Sequence, residues 1–356
     1  MQRSPWLLLA VSAAWIGCGT PEPPQGPPGG AKKPDVAEAA QFQALPPAIE
    51  VATNPRTTEK VALGRMLYYD TRFSADGKVS CYVCHPLHDY GTSHRATGVG
   101  HDGLRGGRNE PTVFNAAGHV AQFWYGRAPD VETQALGPVL NPVEMGMKSG
   151  DDVVATIRSI PGYVAAFQKA FPGESDPVTF QNFGRAIGAF ERGLLTPAPW
   201  DRYLGGDPNA LTAKEKDGLR AFVGTGCADC HTGQYVGGSV YQKAGLVRPW
   251  PDQQDPGRFQ VTQQASDRMV FKVPSLRNVD QTWPYFHDGS VERLDDAIRM
   301  MAHYQLGKEL DDTQVARIRT WLKTLTGDVD RPYVDEPVLP PGATVPPAGS
   351  RGLARR

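Results

Sequence analysis

The sequence carries no large charge of either sign and, beyond its N-terminus, has no long apolar run. Its 37 Lys and Arg residues balance 38 Asp and Glu residues, which leaves a formal net charge of −1. A chain so balanced has no general electrostatic attraction to nucleic acid or to an anionic membrane surface. No internal stretch approaches the ~20 apolar residues that a membrane-spanning helix needs. The composition therefore excludes an integral membrane protein and gives no reason to expect a nucleic-acid partner.

Cysteine is scarce, at five residues, and a disulfide framework does not predict an odd number. Clear runs of alternating apolar and polar residues, the pattern of half-buried strands, are missing as well. Apolar residues recur instead at helical spacing, as Phe183, Ile187 and Phe190 do. Glycine and proline are abundant, with 39 and 32 residues. We therefore predict a mostly α fold with long loops.

The N-terminus has the features of an export signal over residues 1–17, with Arg3 followed by a short apolar segment. Two processing sites fit this segment: one before Cys18, as in a lipidated bacterial lipoprotein, and one after Ala14. The Pro- and Gly-rich residues 18–40 predict a flexible tether. We expect a periplasmic protein whose membrane contact is a lipid anchor at Cys18.

The other four cysteines lie in two C-x-x-C-H segments, which is the pattern of c-type haem attachment. The first segment consists of Cys81, Cys84 and His85, and the second of Cys227, Cys230 and His231. Two thiols three positions apart reach the two vinyl groups of one porphyrin, and the next imidazole lies under the iron. The alternative, one zinc ion held by both pairs, requires the two segments to converge. One lipidated cysteine and two for each haem c account for all five.

Helical patterns precede both segments, as expected for the start of a cytochrome c domain. We predict one haem domain over residues 41–205, a second over residues 206–331 and a Pro-rich tail over residues 332–356. The sequence also predicts the following helical features: a helix at 62–69, a Thr212–Glu215 capping box, a helix at 151–159 after Ser149, a helix at 291–301, and a final helix capped by Asp311 or Asp312 that reaches Leu325.

The chain resembles the bacterial dihaem cytochrome c peroxidases from about residue 41 to residue 332. The motifs that carry the resemblance, in order, are LGRMLYYD at 63–70, RNEPTVFN at 108–115, FWYGR at 123–127, GPVLNPVEM at 137–145, VPSLRNV at 273–279 and PYFHDG at 284–289. The resemblance implies two cytochrome c-like domains. One departure stands out, because the family usually has Asp where Tyr125 stands.

For the first haem, the resemblance implies a distal histidine that can leave the iron, at His101. Three other histidines lie in the same part of the chain, at His88, His94 and His119. Glycines around His101 would allow its loop to move. The resemblance also implies that Glu144 is the catalytic carboxylate and that Gln134 helps to orient peroxide. The apolar neighbours of Glu144 predict a raised pKa through desolvation.

For the second haem, the resemblance points to Met301 as the second axial ligand, with Met269 as the alternative and Met300 as a packing residue. A thioether ligand raises the reduction potential, so this haem would receive electrons. Trp124 matches the aromatic residue between the two haems. A calcium site is implied at Asn109 with the backbone carbonyls of Thr282 and Pro284.

Together these features predict a peroxidase that reduces hydrogen peroxide to water with electrons from a small donor, such as a cytochrome c or a copper protein. The resemblance also suggests a homodimer. Two alternatives remain: a dihaem electron-transfer cytochrome without catalysis, and a dihaem oxidase that acts on tryptophans of a partner protein. The oxidase carries Tyr where Met301 stands, although Tyr285 and Tyr304 lie near in sequence.

Overall fold

The computed structural model describes residues 34–342, so the export signal, Cys18 and the end of the tail lie outside the described residues. Within this part the fold is mostly helical, as predicted. The helices are α1 (Thr58–Tyr69), α2 (Cys81–Cys84), α3 (Val131–Leu140), α4 (Gly150–Arg158), α5 (Pro161–Ala170), α6 (Phe180–Glu191), α7 (Pro199–Leu204), α8 (Ala213–Thr225), α9 (Phe259–Thr262), α10 (Leu294–Met300), α11 (Asp312–Leu322) and α12 (Arg331–Val334). Two short strands, β1 (Tyr241–Lys243) and β2 (Val270–Lys272), pair antiparallel. No helix between residues 34 and 342 is both long and apolar enough to cross a bilayer.

Side-chain caps begin several helices where the sequence predicts them. Thr212 and Glu215 form a reciprocal capping box at the start of α8. Ser149 caps α4, and Asp311 rather than Asp312 caps α11. Because each cap satisfies backbone N–H groups that have no partner within the helix, these positions define the helix starts locally.

The first hydrophobic core lies where α1 packs against α5 and α6, and where α3 packs against α6. Gly64 allows the close approach of α1 to α6, because a Cβ at this position would overlap the carbonyl oxygen of Ala186. Phe73 and Phe183 are buried in this core with their rings edge to face, 5.1 Å apart. This core supports the first C-x-x-C-H segment, since Cys81 packs against it.

The second core is built around α8 and α11 and supports the second segment. The buried rings of Trp200 and Trp321 meet here edge to face at 5.4 Å. Phe42 contacts both rings, at 5.4 and 5.7 Å, and Val36 is buried in the same core. At the other end of the described chain, Val334 is buried in the first core. Each terminal segment therefore packs on the domain that is farther from it in sequence.

This packing differs from the expectation for residues 18–40, which composition assigns wholly to a tether. Proline and glycine dominate the early part of that stretch, but Val36 and Ala39 are apolar and buried. Burial of these side chains favours a fixed position over a solvated one. Residues 34–40 therefore belong to the packed part of the molecule.

The predicted helix over residues 291–301 is wrong at its start. Val291 lies in an isolated bridge with Tyr285, whose N–H donates to the Val291 carbonyl at 2.6 Å. The α-helix begins only at Leu294, and a π-helical turn, Met301–Gln305, follows it. The final α-helix is also shorter than predicted, since Leu325 lies in a 3₁₀ turn, Lys323–Leu325. The single bridge between Val291 and Tyr285 prevents the helix from beginning at Val291, and such a bridge leaves no periodic signal in the sequence.

Replacement of Gly64 tests the close helix contact in the first core. Gly64→Ala is expected to lower the free energy of unfolding by about 1–3 kcal/mol, because the added methyl group forces α1 away from α6. Gly224 in α8 is the matched control, since a Cβ there meets no atom within 4 Å. Gly224→Ala is expected to leave stability unchanged or to raise it by up to about 1 kcal/mol. Urea unfolding followed by circular dichroism measures both, and equal effects would contradict the contact.

Candidate active site

The first C-x-x-C-H segment forms a single helical turn, α2, followed by His85. The Nδ1 atom of His85 lies 3.0 Å from the carbonyl oxygen of Gly91, and the hydroxyl of Tyr68 donates to the His85 carbonyl at 2.9 Å. A hydrogen bond at Nδ1 fixes the tautomer and leaves Nε2 as the metal-binding nitrogen. The segment is therefore oriented as an axial imidazole requires.

The second segment lies directly after α8, which ends at Gly226 in the left-handed conformation with φ 100°. Cys227, Cys230 and His231 line a cavity of about 280 Å³. A single water occupies roughly 10–15 Å³ on the same scale, so the cavity has room for a much larger group. Burial lowers the pKa of His231 to about 4, an effect that nearby backbone carbonyls oppose. The ring is therefore neutral, which is the form that binds iron.

Met301 lines the same cavity as the second attachment segment, although it is far from that segment in the sequence. It lies where α10 ends and the π-helical turn begins. Met269, Met300 and Met301 all belong to one hydrophobic cluster around Trp250 and Phe271, but of the three methionines only Met301 is among the residues that line the cavity. Of the three methionines that the sequence offers, Met301 therefore has the position that a ligand in this cavity requires.

The two segments do not converge on one another. Cys81 packs against the first core, whereas Cys227 lines the cavity beside the second. Between residues 34 and 342, no group of three or more His, Cys, Asp or Glu side chains is placed to hold a metal ion. None of these four cysteines forms a disulfide. This arrangement fits two separate covalent haems and excludes the shared zinc site.

Glu144 lies in the turn that follows α3, where the side-chain amide of Asn141 donates to its Oε1 at 2.8 Å. Burial raises the pKa of Glu144, while the charges of Arg127 and His85 oppose the rise. The raised pKa agrees with the prediction from its apolar neighbours. Gln134 lies in the middle of α3 and is partly exposed. The structure thus places Glu144 near the first attachment segment, and Gln134 on the helix that leads to it.

His101 docks on the same turn that carries Glu144. Its backbone N–H donates to the Glu144 carbonyl at 2.7 Å, and its Nε2 lies 2.6 Å from the Pro142 carbonyl oxygen. Gly146 makes room for the ring, since a Cβ there would overlap it. Because a carbonyl only accepts, Nε2 carries the proton in this arrangement and is not a metal-binding atom.

Trp124 is held from both domains. Its indole N–H donates to the Asn109 carbonyl at 3.0 Å, and its own carbonyl accepts from the backbone N–H of Lys272 at 2.7 Å. Its ring meets His287 edge to face at 6.4 Å. Trp124 therefore occupies the junction between the two haem domains, as the resemblance implies.

The residues of the expected calcium site border the same cavity, which extends from the second attachment segment into the junction. Asn109, Thr282 and Pro284 all line it. The side-chain amide of Asn109 donates to the carbonyls of Arg95 and Ala96 at 3.1 and 3.3 Å, so its amide oxygen faces another direction. The three residues border one cavity, and their role as calcium ligands stays a prediction of the resemblance.

At Tyr125, where the family usually has Asp, the structure shows an aromatic contact in place of a carboxylate. The Arg108 guanidinium lies 4.0 Å from the centre of the Tyr125 ring. Arg108 also forms a two-pronged ion pair with Asp255, with both distances 2.6 Å. Tyr125 thus supports an arginine that joins the two domains.

Sequence reasoning missed Arg127, His287, the Arg108–Asp255 pair and Lys272. Four of these five residues lie within or directly beside motifs that carry the resemblance. Asp255 lies in a stretch without any motif, so its pairing with Arg108 could be found only from the fold.

Two C-x-x-C-H segments in a helical chain, each supported by its own core, define a c-type dihaem protein. Residues 58–209 match the family model described as "Di-haem cytochrome c peroxidase". The chain is 43% identical to cytochrome c551 peroxidase of Nitrosomonas europaea, over 82% of this chain and 86% of that protein. It is also 43% identical to cytochrome c551 peroxidase of Pseudomonas aeruginosa, over 87% and 90%.

More distant relatives share the fold. Methylamine utilization protein MauG of Methylorubrum extorquens is 38% identical over 72% of this chain and 71% of its own length. A solved MauG-like protein associated with microbial copper homeostasis superposes with a TM-score of 0.72 at 29% identity, covering 82% of this chain and 97% of that one. The chain belongs to the di-haem cytochrome c peroxidase family, whose members carry two haem c groups.

The position of Met301 leads to a spectroscopic prediction. Met301→Leu is expected to remove the thioether ligand signature of the second haem and to lower its reduction potential. Met300→Leu removes a neighbouring thioether of the same size and is expected to change neither property. Redox titration followed by absorption and magnetic circular dichroism measures both variants. Retention of the signature in Met301→Leu would move the assignment to another residue.

Proposed function

We propose that the protein reduces hydrogen peroxide to two molecules of water, using two electrons from a small electron-donor protein. The observation that carries this proposal is the placement of Glu144, a partly buried carboxyl group with a raised pKa close to the first attachment segment. Family membership supports the same reaction.

A haem attached at Cys81 and Cys84 would be held by His85, and when bound it supplies an iron that accepts peroxide and electrons. The chain itself must move protons. Glu144 takes a proton from the inner peroxide oxygen and returns it to the departing outer oxygen. Its raised pKa suits both halves of this transfer, because a group that both accepts and donates works best near the operating pH.

Glu144 is positioned by its own surroundings. The amide of Asn141 binds one carboxyl oxygen at 2.8 Å and so limits its rotation. The charge of Arg127 opposes the effect of burial on the pKa of Glu144 and so favours the ionised form, which accepts a proton. Gln134, one helix away, is proposed to orient the peroxide by hydrogen bonding.

His101 is proposed to act as a removable ligand of the first haem. In the described arrangement its Nε2 is bound to the Pro142 carbonyl, so the imidazole has a partner within the protein when it is away from the iron. A second partner lowers the cost of release, since neither state leaves the ring unpaired. Movement would be confined to the loop between Gly98 and Gly106.

A second haem would be held by His231 and Met301 and would supply the electron entry site, and Trp124 is proposed to lie on the path from there to the first attachment segment. Trp124 suits this role because its ring bonds to Asn109 of one domain and its backbone carbonyl bonds to Lys272 of the other, which holds the residue at their junction. A calcium ion at Asn109, Thr282 and Pro284 would stabilise the same junction.

Two observations separate this proposal from its alternatives. An electron-transfer cytochrome has no use for a partly buried carboxyl group with a raised pKa beside the first attachment segment. An oxidase of partner tryptophans requires a tyrosine ligand, but the hydroxyl of Tyr285 is already bound to the Val279 carbonyl at 3.0 Å, and Tyr304 packs on Trp250. Both observations favour the peroxidase.

Export to the periplasm follows from the c-type attachment segments and the predicted signal, and is part of the proposal. Lipid anchoring at Cys18 and a homodimer remain predictions of the sequence. The overall test is a peroxide assay with the half-reduced protein and a small reduced cytochrome c as donor. Rapid peroxide consumption with a high-spin first haem supports the peroxidase, whereas persistent low-spin spectra without turnover would support the electron carrier.

Removal of the Glu144 charge is expected to abolish proton transfer. Glu144→Gln should lower kcat by about 10²–10⁴-fold while both haem spectra stay nearly unchanged. Glu59→Gln changes an exposed carboxylate in the first turn of α1 and serves as the control. Steady-state peroxide consumption measures both, and unimpaired turnover in Glu144→Gln would remove this residue from the mechanism.

Removal of the His101 side chain is expected to bypass reductive activation. His101→Gly should consume peroxide at once when added fully oxidised, because no imidazole occupies the distal position. His88→Gly, which alters a partly exposed histidine paired with Asp335, should behave like the parent protein. Stopped-flow assays with and without prior reduction measure the difference. If His101→Gly still requires prior reduction, His101 is not the gate.

A further inference from the structure

Lys272 is a buried cation that no carboxylate accompanies. It ends β2, its residue surface is 8% exposed, and it lines the cavity that contains the second attachment segment. Its Nζ donates to the Ala121 carbonyl at 2.8 Å and lies 3.4 Å from Nδ1 of His119. Within residues 34–342, no acidic side chain lies within ion-pair distance of it.

His119 does not supply the missing negative charge. Burial and the charge of Lys272 hold the pKa of His119 well below its usual range, so its ring is neutral and accepts at Nδ1. Its buried Nε2 finds no hydrogen-bond partner. The ammonium group has three donors, of which the structure satisfies two. Lys272 and His119 together therefore have N–H donors without acceptors, and neither residue supplies a negative charge.

An ammonium group in such a place is costly. Burial alone lowers the pKa of Lys272 to about 8, with no acidic group to oppose the fall. A buried charge is ordinarily retained only when it is paired and hydrogen-bonded. The backbone N–H of Lys272 is meanwhile bound to the Trp124 carbonyl, which fixes the residue at this wall of the cavity. The ammonium group of Lys272 gains a negatively charged partner only when a group bound in the cavity supplies an anion.

We infer that Lys272 pairs with a propionate carboxylate of the haem attached at Cys227 and Cys230. The attachment residues line the same cavity as Lys272, and a haem carries two carboxylates as its only side-chain anions. A charge-assisted hydrogen bond satisfies the third ammonium donor and offsets the desolvation of both groups. Lys272 is thus a binding residue for the cofactor, and its backbone contact places it next to Trp124.

The pairing has a consequence for the electron affinity of the haem. A buried positive charge beside the porphyrin favours the reduced state over the oxidised state, because reduction adds a negative charge. Lys272 therefore raises the reduction potential of the haem whose carboxylate it binds.

The test is a redox titration of the fully haem-loaded protein and three variants. Lys272→Met removes both the charge and the donor at similar volume. Lys272→Gln removes the charge but keeps a donor for the Ala121 carbonyl. Lys214→Met removes the same charge from an exposed position in α8 and is the control. Absorption spectra first establish that each variant holds two haems.

We expect one of the two reduction steps to move to lower potential in both Lys272 variants. At a fixed applied potential, the ratio of reduced to oxidised haem in that step should fall about tenfold, as expected for loss of a buried charge within several ångströms. Lys214→Met should move neither step. If neither step moves in Lys272→Met, or if Lys272→Gln matches the parent protein, the role of Lys272 is structural hydrogen bonding and the inference is wrong.

Discussion

Covalent attachment of a planar group through two thiols and one imidazole constrains the rest of each domain. The two thiols must lie on one turn, and the imidazole that follows must present Nε2, which the hydrogen bond from His85 to the Gly91 carbonyl achieves at the first site. A helix must then pack behind each turn to hold it against the group. At the first site this support comes from the packing of α1 on α6. At the second site it comes from the packing of α8 on α11, with different side chains.

The two domains are joined where their sites meet, so the junction also carries the path proposed between the two haems. Trp124 donates to the Asn109 carbonyl on one side and accepts from Lys272 on the other. The Arg108–Asp255 pair adds a second link, and its two-pronged geometry resists rotation better than a single contact does. The terminal segments reinforce the link, because Phe42 and Val334 each pack on the other domain. A fixed separation between the sites follows from contacts that are distributed over the whole chain.

The sequence predicted the parts that depend on local chemistry. The attachment segments, the Thr212 capping box and the mostly helical fold follow from spacing within a few residues. The start of α10 was wrong because the bridge of Val291 to Tyr285 competes with the helix, and a single bridge has no periodic signature. Lys272 and Arg127 were missed for a different reason: a basic residue in a sequence is normally solvated, and only the fold shows that Lys272 is buried. The placement of Glu144, Met301 and Trp124 needed the resemblance, since nothing in spacing alone distinguishes a ligand from a packing residue.

The side chains proposed as distal ligands, Met301 and His101, also differ in the backbone that carries them, and this difference bears on which haem is proposed to react. Met301 stands where α10 passes into a π-helical turn, and helical hydrogen bonds on both sides restrict its backbone. His101 stands in a short 3₁₀ turn flanked by glycines, with Asp102 in the left-handed conformation and with the Pro142 carbonyl as a partner for its ring. Release of a ligand costs little when the backbone is a loop and the ring has another hydrogen-bond acceptor, and much when the backbone is helical. The proposed difference in ligand release between the two sites therefore depends on the backbone around each side chain as well as on the ligand atom, sulfur or nitrogen.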